Sequence, residues 1–238
     1  MPAERFFIDC ALTCGESIKL EEEEFVHLTR VMRAEVGDTV ELVNGRHILA
    51  TAKIEKIDKR AAELAITLIE DRAPLTPPLI LGIAIPRFSH LEWIAEKATE
   101  LGANALWLFP GDRSEKKDLS EQQRLRLRNL MIAAMKQCGR LDLPSLEIHP
   151  ALHAWHYPPK GALFFGDISP EAPLLAKCLP NTNDPIVFFT GPEKGFSTQE
   201  ELLMKNAWHA QGVSLHPYIL RAETAPILAA GLIRHLLA

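Results

Sequence analysis

Arg72-Ala73-Pro74-Leu75-Thr76-Pro77-Pro78-Leu79-Ile80-Leu81-Gly82-Ile83-Ala84-Ile85 divides the chain. Proline fixes φ and removes a backbone donor, so the proline cluster reads as a linker rather than a strand. The apolar run Leu79–Ile85 that follows has the composition of a strand buried on both faces. Leu91, Ile94, Ala95, Ala98 and Leu101 then recur at helical spacing, and Gly102 stands where a C-cap would. The alternation continues. Strands are expected at Ala105–Phe109, Ala162–Phe165, Ile186–Thr190 and Val213–Leu215, with helices at Glu121–Cys138, Thr198–Ala210 and about Glu223–Leu237. Residues 74–238 therefore read as an α/β domain on a largely parallel sheet.

Residues 1–73 read differently. Arg5–Ile8 and Thr39–Val43 are strand candidates, Asn44-Gly45 is a two-residue hairpin turn, and His47–Ile57 and Ala62–Ile69 continue the pattern. Glu21–Arg33 looks helical, with acids in its first turn and Arg30 and Arg33 in its last, matching the helix dipole. A small barrel with one helix fits this segment.

The 238 residues are 47% hydrophobic, with 26 basic and 31 acidic side chains. Residues 1–73 carry 10 basic and 15 acidic groups, and the remainder 16 of each. Overall acidity argues against a non-specific nucleic-acid binder. Residues 113–140 nevertheless hold eight basic groups and three acidic ones, either a phosphate-facing patch or a solvated helix face. Cys10, Cys14, Cys138 and Cys178 form no disulfide framework and point to a reducing cytoplasm. The charged start argues against a signal peptide, and no apolar run approaches the roughly 18–20 residues of a membrane span. His149, His153 and His156 fall on a proline-broken loop, and Cys10 and Cys14 lack a second pair, so no metal site is expected. Trp93 and Trp107 fall in apolar patterns and read as core, with stacking on a base as the alternative for an exposed aromatic.

In open α/β sheets ligands bind beyond the carboxyl ends of the strands. Two loops there are unusual. Thr190-Gly191-Pro192-Glu193-Lys194-Gly195-Phe196-Ser197 combines two glycines, a stiffening proline and a helix-capping serine. Leu215-His216-Pro217-Tyr218-Ile219-Leu220-Arg221-Ala222-Glu223-Thr224-Ala225 interleaves apolar residues with Arg, Glu and Thr. Neither matches the dinucleotide or P-loop pattern.

These loops resemble the RsmE family, methyltransferases of the knotted SPOUT superfamily that act on N3 of a uridine in 16S ribosomal RNA. The family's GPEGGFS loop corresponds to Gly191–Ser197, and its L-G-x-R-I-L-R-x-E-T-A segment to Leu215–Ala225. Its K-A-T-E-L-G signature stands at Lys97–Gly102, and its Q-S-G-R stretch corresponds to Gln137–Arg140. His27-Leu28, Arg30–Arg33 and Gly37-Asp38 resemble its first-domain motif. The likeness runs from Arg5 to the C-terminus, with Lys194 and His216 replacing family glycines, Tyr218 a family arginine, and Lys136 a common acid.

The resemblance implies a PUA-like RNA-binding β-barrel over 1–73. Over 74–238 it implies a SPOUT domain with a deep trefoil knot, which sequence physics alone would not suggest. The implied cofactor is S-adenosyl-L-methionine, held by Phe165, Gly166, Thr190, Gly191, Pro192, Glu193, Gly195, Leu215, Tyr218, Ile219, Leu220, Thr224 and Ala225. Arg221 is the expected catalytic residue, stabilising a uracil anion or positioning a phosphate, with an ion pair to Glu223 or Glu193 as the alternative. The expected RNA contacts are Arg5, Arg30, Arg33, Arg113 and Arg140. The implied partners are 16S ribosomal RNA, within the small subunit, and a second copy in a homodimer, with no membrane. A different class of function is a knotted RNA- or ribosome-binding protein with little methyl transfer, motivated by the added positive charge of Lys194.

Overall fold

A computed structural model describes residues 5–237, which fold as two compact units. The first takes the chain up to Pro74 together with 132–143; the second takes 75–131 and 144 onward.

In the first unit, β1 (Arg5–Phe7), β2 (Ser17–Glu21), β3 (Thr39–Val43), β4 (Ile48–Ile57) and β5 (Ala61–Asp71) form one sheet in the order β1-β3-β4-β5-β2. All pairings are antiparallel except β1 with β3. Alternating side chains supply the core, in which Phe6, Leu20, Leu42, Ile54 and Leu64 are fully or almost fully enclosed. The β4–β5 register shifts beside Thr51, and the Thr67 hydroxyl donates to the Thr51 carbonyl there. A bulge of this kind curves a sheet. Helix α1 (Glu22–Val26) widens into a looser turn over His27–Val31, and Leu28 from that turn reaches the same core.

One strand of this unit is unforeseen, and two expectations need correction. Ser17–Glu21 is a strand, disguised because only Leu20 along it is buried and its end merges with the acidic run opening α1. Asn44-Gly45 does not close a two-residue hairpin, because Val43 pairs with Leu49 and leaves a longer loop. That loop serves residues 141–143: His47 N–H donates to Leu141, Leu143 N–H to Gly45, and Arg46 bridges Asp142. The boundary at 73 also left out 132–143, which joins this unit because Met135 and Leu141 pack with Val43 and Leu49.

The second unit is a six-stranded, all-parallel sheet. It comprises β6 (Leu79–Ala84), β7 (Ala105–Phe109), β8 (Ser145–Ile148), β9 (Ala162–Gly166), β10 (Ile186–Thr190) and β11 (Gln211–Val213). Their order is β11-β9-β10-β6-β7-β8. Every residue of β10 is buried, as the apolar run Ile186–Phe189 requires, and Thr190 brings a hydroxyl inside at its end. Gly82 on β6 is forced, because a Cβ there would lie 2.3 Å from the Phe189 ring.

Helix α2 (Phe88–Glu100) buries Leu91, Ile94, Ala95 and Ala98, and Gly102 ends it at φ +83°. Helix α3 (Glu121–Cys138) follows β7, and α4 (Thr198–Leu202) continues into a wider turn over Leu203–Ala207. Helix α5 (Thr224–Leu236) buries Pro226, Ala229, Ala230 and Ile233. Its Arg234 guanidinium locks the helix end to the carbonyls of Pro77 and Gly102 and the side chain of Asn104. Edge strand β8 was not foreseen, because its short polar–apolar alternation buries no residue. The last strand ends at Val213, which moves Leu215 into the following loop. Trp93 is a further correction: it is 63% exposed on α2, on the face opposite the buried stripe. Among the described residues no helix is long and apolar enough to cross a membrane.

Candidate active site

The carboxyl ends of the parallel strands all open onto one edge of the second unit's sheet. Thr190 closes β10 with its side chain inside the protein, and its Oγ1 has no hydrogen-bond partner. The loop after it folds back tightly, with Gly195 N–H donating to the Pro192 carbonyl and Gly195 at φ +69°. A Cβ on Gly191 would meet Phe196 N at 2.9 Å and Gly195 C at 3.0 Å, so only glycine lets the loop double back. Lys194 is not among the non-glycine residues at positive φ, so a side chain there carries no backbone strain.

The loop is anchored from both sides. Ser197 caps α4 by accepting from Glu200 N–H, while Glu200 Oε2 accepts from Ser197 N–H at 2.8 Å. The buried Glu200 also uses Oε1 to accept from Asp112 N–H at 3.0 Å, and Asp112 Oδ2 accepts from the Ser197 hydroxyl. Arg113 Nη1 donates to the Lys194 carbonyl at 3.1 Å. The segment after β7 thus buttresses the loop after β10.

Glu193 links three segments. Its Oε1 accepts from Arg87 N–H at 3.0 Å and lies 3.0 Å from His90 Nδ1, in the first turn of α2. His90 Nδ1 is also 3.4 Å from Glu223 Oε2, just before α5. Burial pushes the Glu193 carboxyl up, but the amides of Arg87 and of Glu193 itself, together with His90, outweigh it and hold it below the usual carboxylate range. Arg221 extends into solvent, 84% exposed, with Nη1 only loosely paired to Glu223 at 3.9 Å. An ion pair that long and exposed leaves the guanidinium free to meet a ligand.

The loop 214–223 carries the remaining expected contacts. Tyr218 and Ile219 are 77% and 79% exposed, while Leu215 and Leu220 are half-buried. His216 stiffens the loop: its Nδ1 accepts from Tyr218 N–H at 3.2 Å and its ring packs on Tyr218. Thr224 and Ala225 N–H both donate to the Arg221 carbonyl, so their amides are already used by the start of α5. At the end of β9, Phe165 is fully buried, with its ring edge-on to Phe196, so only its backbone is available at the strand's end. Gly166 beside it faces open space. The neighbouring Asp167 lies below the usual carboxylate range; burial raises it, and Ser169 and Lys205 more than compensate.

Several expected RNA contacts are placed otherwise. In the first unit, Arg5 is nearly buried and paired with Glu41 at 2.7 Å, and Arg140 is nearly buried and doubly bonded to Asp142. Both are structural rather than presented to a ligand. Arg30 and Arg33 remain exposed, with no ion pair among the described residues. In the second unit Arg113 is exposed but spends one N–H on the Lys194 carbonyl. Within the basic stretch Arg124 pairs with Asp118 and Arg126 with Glu92. Sequence reasoning missed His90, Asp112 and Glu200, whose only signal was position: each lies near the carboxyl end of a parallel strand or the start of the helix after it.

The cofactor expected from the sequence can be tested against this geometry. The unpartnered hydroxyl of Thr190, the open face of Gly166, and the apolar Tyr218 and Ile219 side chains held out at the same edge suit a ligand with polar edges and an apolar body. The residues present fit a nucleoside sulfonium cofactor.

A family model described as an RNA methyltransferase domain matches residues 73–234, and one described as an RNA methyltransferase PUA domain matches residues 20–67. The chain is 30% identical over 239 residues to ribosomal RNA small subunit methyltransferase E of Synechocystis sp., covering 93% of this chain and 74% of that protein. It is 27% identical to the protein of the same name from Buchnera aphidicola, covering 94% and 90%. The crystal structure of ribosomal RNA small subunit methyltransferase E from Neisseria gonorrhoeae, bound to S-adenosyl methionine, superposes with a TM-score of 0.86 at 26% identity over 98% of both chains. With the PUA domain ahead of the methyltransferase domain, and both loops beyond the parallel strands, the chain belongs to the RsmE family of ribosomal RNA small-subunit methyltransferases.

Proposed function

We propose that the chain transfers the methyl group of S-adenosylmethionine to N3 of a uridine in 16S ribosomal RNA. The observation that carries this reading is the convergence of the 190–197 loop, the 214–223 loop and the end of β9 on one sheet edge. They do so in a fold shared over 98% of the chain with a relative bound to that cofactor. The backbone of Gly166 and Thr190–Gly195, with the Thr190 hydroxyl, would hold the polar edges, and Leu215, Tyr218, Ile219 and Leu220 would wall the apolar body. The bound sulfonium supplies an electrophilic methyl group. The chain's part is to align N3 with it and to stabilise the charge that develops on the uracil oxygens. Arg221, solvent-exposed and loosely paired, is the residue for that charge.

Arg30 and Arg33 of the first unit are the RNA contacts retained from the sequence reading, and Arg113 is a further one. Ile227, Leu228 and Leu232, half-buried, and Leu236, exposed, lie off the buried stripe of α5 and supply apolar surface for a homodimer. The trefoil knot of the family is expected within the 74–238 domain, and a ribosomal RNA substrate fits activity in the cytoplasm, on the small subunit or its RNA.

Lys194 motivated the reading without transfer, and its backbone is unstrained while its carbonyl is used to anchor Arg113. Both observations favour an intact cofactor loop. Calorimetric titration with S-adenosylmethionine tests the point: micromolar or tighter binding is expected, and no measurable binding would favour the non-catalytic reading.

A further inference from the structure

Methylation at a uracil N3 requires that the imide proton leave, and the site contains one imidazole that touches two cofactor segments. That side chain is His90. Its Nδ1 lies 3.0 Å from Glu193 Oε1 and 3.4 Å from Glu223 Oε2, two groups that as carboxylates only accept hydrogen bonds. Nδ1 therefore carries the hydrogen, and in the neutral ring the lone pair sits on Nε2. The His90 side chain is 28% exposed, which leaves the ring within reach of a bound base.

Resting on the methyltransferase reading, we propose that His90 is the general base of the reaction, oriented by Glu193 and supported by Glu223. The uracil N3–H bond breaks and its proton passes to His90 Nε2. The electron pair left on N3 forms the new bond to the methyl carbon, and the pair of the breaking carbon–sulfur bond stays on sulfur. One positive charge thereby moves from the sulfonium to the imidazolium, and the products are a neutral methylated uracil and a neutral thioether. Two features match this role. His90 lies in the first turn of α2, where Glu193 Oε1 fixes its ring through Nδ1 at 3.0 Å. The two carboxylates then stabilise the imidazolium as it forms, the logic of a carboxylate behind a catalytic histidine. The charged groups around the ring are Glu193 from the loop after β10 and Glu223 before α5. Arg87 precedes α2 and is paired with Glu115, and Arg221 lies behind Glu223.

The test is the single-turnover rate of methyl transfer to 16S ribosomal RNA lacking the modification, at saturating S-adenosylmethionine, from about pH 5.5 to 8.5. The full chain is expected to show a rate that rises with unit slope through one ionisation and then levels. His90→Asn and His90→Gln are expected to lose that limb and to run about 10²–10⁴-fold slower on the plateau. Their dissociation constants for S-adenosylmethionine and RNA should stay within about threefold of the parent. A flat profile for the unaltered protein overturns the assignment whatever the variants do. So does either variant keeping the limb, or a defect confined to cofactor affinity, which would make His90 a strut between loops. If the unaltered protein binds cofactor and RNA but transfers no methyl group, the function itself fails, and this assignment with it.

Discussion

Glu200→Ala should unfasten the cofactor loop and register in stability and affinity together. Glu200 is almost fully buried, and its two oxygens accept from the amides of Asp112 and Ser197 at 3.0 and 2.8 Å. Hydrogen bonds to a charged group contribute roughly 1.5–3 kcal/mol each. Removing the carboxylate also relieves part of the cost of burying it, and water can reach the half-buried amides, so the net loss should be about 2–4 kcal/mol. For a unit of this size that is a fall in Tm of roughly 5–12 °C. All four tryptophans (Trp93, Trp107, Trp155 and Trp208) lie in the second unit, so urea unfolding followed by tryptophan fluorescence reports that unit alone. Ser197→Ala removes only the cap hydroxyl and should cost about 1 kcal/mol. Glu200→Gln should recover only part of the loss, because its NH2 faces an amide that is itself a donor. S-adenosylmethionine affinity should drop at least tenfold in Glu200→Ala. A midpoint shift worth less than about 1 kcal/mol, with affinity unchanged, would refute the claim that this carboxylate organises the loop.

Thr190→Val removes a buried hydroxyl that has no partner, so stability should hold or rise slightly while S-adenosylmethionine binds about 3–10-fold more weakly by calorimetry. In the first unit, burial raises the Asp142 carboxyl but the Arg140 hydrogen bond and charge outweigh it and hold it below the usual range. A group depressed in the folded state stabilises above its unfolded pKa, about 3.9, and that contribution is lost as pH falls through the folded value. Asp142→Asn should therefore cost roughly 3 kcal/mol at pH 7 and progressively less below about pH 4, followed by far-ultraviolet circular dichroism. Arg30→Ala and Arg33→Ala should each reduce the salt slope of RNA binding by roughly one unit without altering cofactor affinity, as read by filter binding at several salt concentrations.

Much of the second unit was legible because a strand buried on both faces must be apolar throughout, which made β6, β7 and β10 visible as runs. The helix over Glu121–Cys138 was readable from its bounded polar and apolar pattern, and both cofactor loops from their glycines and their place after strands. Short edge strands were not legible. Ser17–Glu21 and Ser145–Ile148 bury one residue and none, so nothing in their sequence separates them from loop. The Asn44-Gly45 signal was real turn chemistry, since Asn44 Oδ1 accepts from Arg46 N–H, but residues 141–143 pulled the loop into a longer form. Charge counting fared worst. Arg5 and Arg140 are spent on Glu41 and Asp142, partners at sequence separations that no local pattern weighs together with burial. His90 escaped notice for the same reason: its role depends on Glu193 and Glu223, more than a hundred residues away, being folded back onto the first turn of α2.

The central claim is methyl transfer to N3 of a uridine in small-subunit ribosomal RNA. The most direct measurement incubates the purified full chain with methyl-labelled S-adenosylmethionine and small ribosomal subunits from cells lacking the gene, then identifies the labelled nucleoside by mass spectrometry. Label is expected in 3-methyluridine, from one site in 16S RNA, and its loss in Arg221→Ala at cofactor saturation. Label in another nucleoside, or cofactor binding with no label in RNA, would contradict it.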